Sequence, residues 1–245
     1  MCKVTIKHYF DFSKIAGTVQ GHVHSAQAWD DLRLQEGASN IFAIPAERQE
    51  WQERAGRESL IQAQAKDIAD IIRGRFKRAN SYGAGPAFLE YFIKQQCPDI
   101  FLHCSDYTAK SIERLRRVFT EADEVVTFDM FNDPWRNADE GTLHLLYRVD
   151  TVLDDAQWRS LFGRMRLAGT RHVLFVPCEF LTARRWLGQM VKRGLWPLLG
   201  KRLSFAGYLR TKARFMDMFL GAYTVEREVE LAGGVKGFLL TIKEE

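Results

Sequence analysis

The residues of this chain best suited to hold a ligand are a glycine-rich turn and an acid at a fixed distance beyond it. Ser81-Tyr82-Gly83-Ala84-Gly85-Pro86 follows a short strand-like run and opens a helix, and Asp106 stands 21 residues after Gly85. Glycine lets backbone approach a ligand closely, and the helix N-terminus behind it favours negative charge. A carboxylate about 20 residues on, after a second strand, is where a parallel α/β sheet holds ribose hydroxyls. The pair predicts a nucleotide-type cofactor lying across the carboxyl edge of two adjacent strands. A dinucleotide is disfavoured, because the third small residue of G-x-G-x-x-G/A is Phe88 here. A Walker A loop is excluded, since no Gly-Lys-Ser/Thr follows the turn.

The elements around the turn alternate as a parallel α/β sheet requires. Helices are predicted over 58–74, 87–95, 108–118 and 155–167, with Pro86 preset for a first helical turn. Strands are predicted to end near Tyr82 and to run over 100–104, 124–128, 143–149 and 172–176. The last of these, His172 to Val176, is nearly all apolar, as a strand covered on both faces should be. A hairpin is expected from 222–231 and 235–243 around Gly233-Gly234. Residues 1–57 do not fit the alternation; helix-like segments near 25–35 and 45–55 carry Trp29 and Trp51, and three histidines and Phe10, Phe12 and Phe42 lie in the same region.

Three signals occur in one order: Gly83-Ala84-Gly85-Pro86, then Cys104-Ser105-Asp106-Tyr107-Thr108, then Val125-Val126-Thr127-Phe128-Asp129-Met130. From Phe76 to about Asp155 the chain thereby resembles the class I S-adenosylmethionine (SAM)-dependent methyltransferases. The resemblance implies a three-layer, Rossmann-like α/β fold whose mostly parallel sheet closes with a C-terminal antiparallel hairpin. It implies SAM as cofactor, with Ser81, Gly83 and Gly85 at the methionine end and Asp106 on the ribose hydroxyls. Asp129 would meet the adenine amino group and Met130 the ring face. The alternatives are that Asp106 caps the following helix and that Asp129 is a loop residue before Asn132-Asp133-Pro134. One departure stands out: the family usually carries Asp or Glu where this chain has Ser81. That change fits a weaker site, a compensating acid elsewhere, or a degenerate domain. The implied organisation is an N-terminal helical cap over 1–57 and a methyltransferase domain over 58–245, with an acceptor-lid insertion near 178–220.

On the acceptor side, Asp150 is a candidate general base for a hydroxyl and Arg148 a clamp for an anionic group. Mutual pairing, or capping of the next helix, would explain both equally well. From Trp158 to Arg214 there are thirteen Lys/Arg against one acid, Glu179, although the whole chain carries only +4. Arg210, Lys212 and Arg214 close this stretch, and Trp186, Leu187, Met190, Leu195 and Trp196 interleave with it. It fits an anionic or sugar-like small-molecule or glycan acceptor, an anionic membrane surface, or RNA phosphates. Its place in a lid favours the acceptor. Asn132-Asp133-Pro134-Trp135 lacks the second proline of amino methyltransferase motifs and follows the wrong strand, which counts against a nucleobase acceptor. O-methylation of a small-molecule or glycan hydroxyl is the expected activity; RNA methylation or a non-catalytic binding role are the alternatives.

Composition agrees with one soluble domain: 245 residues are 46% hydrophobic, with no apolar run long enough to span a bilayer. The N-terminus lacks a signal-peptide core, so a cytoplasmic protein is expected, peripheral to the inner membrane face at most. Four cysteines show no C-x-x-C spacing and read as reduced thiols. His22-Val23-His24 has no third ligand at useful spacing, so no metal is expected. Nothing in the sequence sets an oligomeric state.

Overall fold

The computed structural model describes residues 2–10, 26–35, 40–135, 140–196, 198 and 204–244. Phe12, His22 and His24, which the sequence reading named, lie outside them, as do Lys201 and Arg202 of the basic stretch. In chain order the elements are β1 (Thr5–Phe10), α1 (Ala26–Leu34), α2 (Arg48–Arg57), α3 (Ser59–Ile72), β2 (Arg78–Tyr82), α4 (Phe88–Gln96), β3 (Phe101–Asp106), α5 (Ala109–Val118), β4 (Glu124–Thr127), β5 (Thr142–Tyr147), α6 (Asp155–Leu167), β6 (His172–Val176), α7 (Ala183–Leu195), β7 (Ser204–Arg210), α8 (Lys212–Phe219), β8 (Tyr223–Leu231) and β9 (Val235–Ile242).

Seven strands form one sheet in the order β4-β3-β2-β5-β6-β9-β8. The pairs from β4 to β6 are parallel, whereas β9 runs antiparallel to both β6 and β8. Alternation along each strand divides the apolar side chains between two layers. Leu174 and Val176 of β6 pack with α2, α3, α4 and α5, while Val173 and Phe175 pack with α6 and α8. Each fully buried Leu, Ile, Val or Phe contributes about 1.5–3 kcal/mol of transfer free energy, which holds the three layers together. The helix α6 starts where the sequence marks it: Asp154 Oδ1 accepts from Gln157 N–H at 2.8 Å, and Gln157 Oε1 accepts from Asp154 N–H at 2.8 Å. This is a reciprocal cap.

Two expectations need correction. The N-terminal region is not wholly helical, because β1 pairs antiparallel with β7 in a separate two-stranded sheet. The stretch near 178–220 is not all insertion either. Its α8 buries Phe215, Met218 and Phe219 in the core behind β6.

Candidate active site

The chain order steps outward from β2 to β3 to β4, then returns to β5 on the other side of β2. That reversal opens a crevice at the carboxyl ends of the strands, where ligands of open α/β sheets bind. The glycine turn after β2 sits at this point. Gly83 and Gly85 have φ of 70° and 57°, values that glycine adopts without steric cost. A Cβ on Gly83 would come within 2.6 Å of Val149 Cγ1, so the turn and the segment after β5 meet across the crevice.

The amides of the turn are already used. Gly83 and Ala84 N–H both donate to Ser105 O, at 2.8 and 3.0 Å, and Gly85 N–H donates to Asp106 Oδ2 at 3.2 Å. A phosphate cradle needs such amides free. This turn is instead stitched to β3, with a carboxylate drawn against it, and it suits a ligand with no pyrophosphate.

Asp106 is 2% exposed and does not cap α5. The N-cap of α5 is Thr108. The amide and hydroxyl of Ser111 in that first turn are taken by Asp30 of α1, at 2.9 and 2.7 Å. One turn further along α1, Arg33 forms an ion pair with Asp106 at 2.6 Å, both side chains being nearly buried, and donates to Thr108 Oγ1 at 3.2 Å. Arg33 therefore occupies the acid expected to hold a ribose. Trp51 of α2 pins the other side of the turn, its indole N–H donating to Pro86 O at 2.8 Å.

Ser81, in place of the family's usual acid, has an acid for a partner. Its hydroxyl donates to Glu90 Oε1 at 2.5 Å, and Glu90 is a buried residue in the first turn of α4. Burial pushes the Glu90 carboxyl up to about 7, Ser81 pulls it down, and the nearby charge of Asp106 adds to the rise.

Asp129 ends the neighbouring strand as an Asx turn. Its carboxylate accepts from Phe131 and Asn132 N–H at 2.8 and 3.3 Å and from Asn132 Nδ2 at 2.7 Å. Met130 is half-buried and packs on the layer that contains α6. Both residues lie at the same carboxyl edge as Asp106, one strand further out.

The acceptor-side candidates fall in two groups. Arg148 is exposed at the mouth, with φ of 56°, a costly conformation for a non-glycine residue. Asp150 is fully buried. Its Oδ1 accepts from Cys178 N–H at 2.6 Å, its Oδ2 has no hydrogen-bond partner, and burial raises its pKa. Arg210, by contrast, is wholly buried below the site. It donates to Asp155 at 2.6 Å, to Asp150 O at 2.8 Å and to Leu153 O. Lys212 pairs with Glu228, and Arg214 with Asp155 and Asp217. These three cations are committed to ion pairs within the fold. Arg159, Arg171 and Arg185 likewise find Asp217, Glu140 and Glu179. Among the described residues, six cations of the basic stretch are thus held in ion pairs, by Glu179 within it, by Asp155 and Asp217 at its flanks, and by the more distant Glu140 and Glu228.

Arg33, Glu90 and Val149 were missed in the sequence. The only available signal was the serine at position 81, which pointed to an acid elsewhere without locating it. Among the described residues no group of three metal-ligating side chains forms.

At the level of sequence no family model matches, and no curated protein is similar to the chain. Solved structures do share its architecture. The pyocyanin biosynthetic protein PhzM superposes with a TM-score of 0.56 at 21% identity, covering 80% of this chain and 62% of its own. Human N-acetylserotonin methyltransferase, solved in complex with SAM, gives 0.57 at 18% identity, covering 80% and 55%. A SAM-dependent methyltransferase from Leishmania major gives 0.56 at 11% identity, covering 89% and 91%. The chain spans less than two thirds of the length of the first two and nearly matches the third. With the hairpin-closed sheet and the glycine turn at its reversal point, the chain has the fold of the class I SAM-dependent methyltransferases.

Proposed function

We propose that this protein is a SAM-dependent methyltransferase that modifies a hydroxyl of a small-molecule or glycan acceptor. The observation that carries the reading is the glycine turn: its amides are spent on β3, and two carboxyls, Asp106 and Glu90, converge behind it. That arrangement offers a phosphate no free turn amide and suits a cationic ligand bearing a ribose. The residues fit SAM once Arg33 leaves Asp106. Asp106 would then accept from the ribose hydroxyls, Asp129 and Met130 would border the adenine, and Gly83 and Gly85 would lie along the methionine end. Bound SAM supplies an electrophilic methyl group on a sulfonium. The chain's part is to align the acceptor oxygen and to exclude water. Asp150, with one carboxylate oxygen unpartnered, is the proposed proton acceptor, and Arg148 at the mouth the proposed clamp for an anionic group on the acceptor.

An acceptor presented at an anionic lipid surface is supported by α7. Trp186, Leu187, Val191 and Leu195 on it are exposed, next to exposed Arg184 and Arg193. Such a helix lies in a membrane interface with its apolar face down. RNA is the weaker reading, because ion pairs break up the cationic track it would need. Among the described residues no helix is long and apolar enough to cross a membrane.

The test is calorimetric titration with S-adenosylhomocysteine, the demethylated product, followed by methyl transfer to a panel of hydroxyl acceptors. Binding that Asp106→Ala abolishes is expected. A folded wild-type protein that binds neither SAM nor the product would overturn the enzyme reading and leave a non-catalytic binding protein. On vesicles, flotation with phosphatidylglycerol but not with phosphatidylcholine is expected, reversed by Leu187→Glu.

A further inference from the structure

Glu90 is a carboxyl in an unusual place. It is 2% exposed, lies in the first turn of α4 directly behind the glycine turn, and receives the Ser81 hydroxyl at 2.5 Å. The titratable groups that face it are acidic or neutral. Asp106 and Cys104 come from β3 and Tyr147 from the end of β5. Of the cations at this carboxyl edge, Arg33 of α1 holds Asp106 and Arg148 is exposed at the mouth. On α3, which packs against α4, Lys66 pairs with Asp70 on the outside and Asp67 accepts from Ala232 N–H. On α2, Arg54 pairs with Glu50. Among the described residues, no cation forms an ion pair with Glu90.

A buried carboxyl without a cation is costly when charged. It persists here beside a turn whose amides are closed to anions, and the Ser81 hydroxyl steadies it. We infer that Glu90 is the counter-charge of the cationic methyl donor: protonated before the donor binds, it releases its proton to solvent when the donor enters the glycine turn. The carboxylate formed keeps the Ser81 hydroxyl as donor and faces the ligand's positive charge together with Asp106. This rests on the proposed cofactor. It adds that binding is coupled to one proton and that the acid absent at position 81 is supplied from the following helix.

Titration of SAM and S-adenosylhomocysteine between pH 6 and 8.5, in two buffers of different ionisation enthalpy, reads this directly. The wild type should release close to one proton per ligand at the acid end. Its affinity should rise up to about tenfold per pH unit and level off above about 7, the value to which burial holds Glu90. Glu90→Gln should bind without proton release, with a flat profile and at least tenfold more weakly at pH 8, SAM losing more than the product. Ser81→Ala, which keeps the carboxyl, should still release the proton but with its midpoint moved up in pH. Wild-type binding without proton release, or a Glu90→Gln profile that tracks the wild type, overturns the inference and leaves the cofactor standing. Absence of wild-type binding at every pH instead removes the cofactor reading itself.

Discussion

Replacing Arg33 with methionine removes one charge from the carboxyl edge and keeps the length and apolar stem of the side chain. The Arg33 guanidinium holds Asp106 at 2.6 Å with the pair almost wholly buried. A hydrogen bond to a charged group contributes about 1.5–3 kcal/mol. A buried charge deprived of its partner costs roughly 3–5 kcal/mol. Both quantities bear on the proposed ligand binding, in which ribose hydroxyls and Arg33 would compete for one carboxylate. If breaking the Arg33–Asp106 pair costs the ligand about 1.4–2.8 kcal/mol, apparent affinity is reduced by about ten- to a hundredfold. Arg33→Met should therefore bind S-adenosylhomocysteine ten- to a hundredfold more tightly than the wild type by calorimetry. The ligand-free variant should unfold at lower denaturant concentration, and saturating ligand should restore most of that loss, since the ligand re-pairs Asp106. Equal or weaker binding by Arg33→Met would refute the competition and make Arg33 a contact that assists the ligand.

Two further predictions concern the fold itself. Arg210→Met should destabilise by about 3–5 kcal/mol in urea unfolding while leaving product affinity unchanged, because that guanidinium ties Asp155 to the loop carbonyls and does not face the crevice. Glu90 also has a stability signature. Its carboxyl holds its proton more tightly folded than unfolded, so between pH 4.5 and about 7 the folded state carries the extra proton and stability falls as pH rises. The loss should reach about 3 kcal/mol by pH 8. Glu90→Gln, measured without ligand, should match the wild type near pH 4.5 and exceed it at pH 8; identical pH profiles would refute the assignment.

Membership of the sheet was legible wherever the signal was local. The apolar run His172 to Val176 is β6, the predicted helix over 155–167 is α6 with its reciprocal cap, and the Gly233-Gly234 turn joins β8 to β9. Each depends on residues only a few positions apart, so propensity and periodicity suffice to read it. The glycine turn with Asp106 was readable for a related reason: one β-α-β unit sets the distance between them, and the unit is built from near neighbours.

What only the tertiary structure decided are the partnerships between distant segments. β1 reads as nothing in particular until it meets β7, some two hundred residues later. Arg210 reads as part of a basic surface until the fold buries it on Asp155, and its neighbours are neutralised by acids lying outside the basic stretch. Arg33 and Glu90 carry no motif. Their importance comes from the packing of α1 and α4 against the carboxyl edge, which brings one cation onto Asp106 and one acid behind Ser81. The sequence by itself determined the sheet and the place of the glycine turn at its carboxyl edge, because both follow from local hydrophobic patterning and chain turns. The electrostatics inside that crevice depend on Coulomb and hydrogen-bond contacts of a few ångströms, which no spacing along the chain encodes.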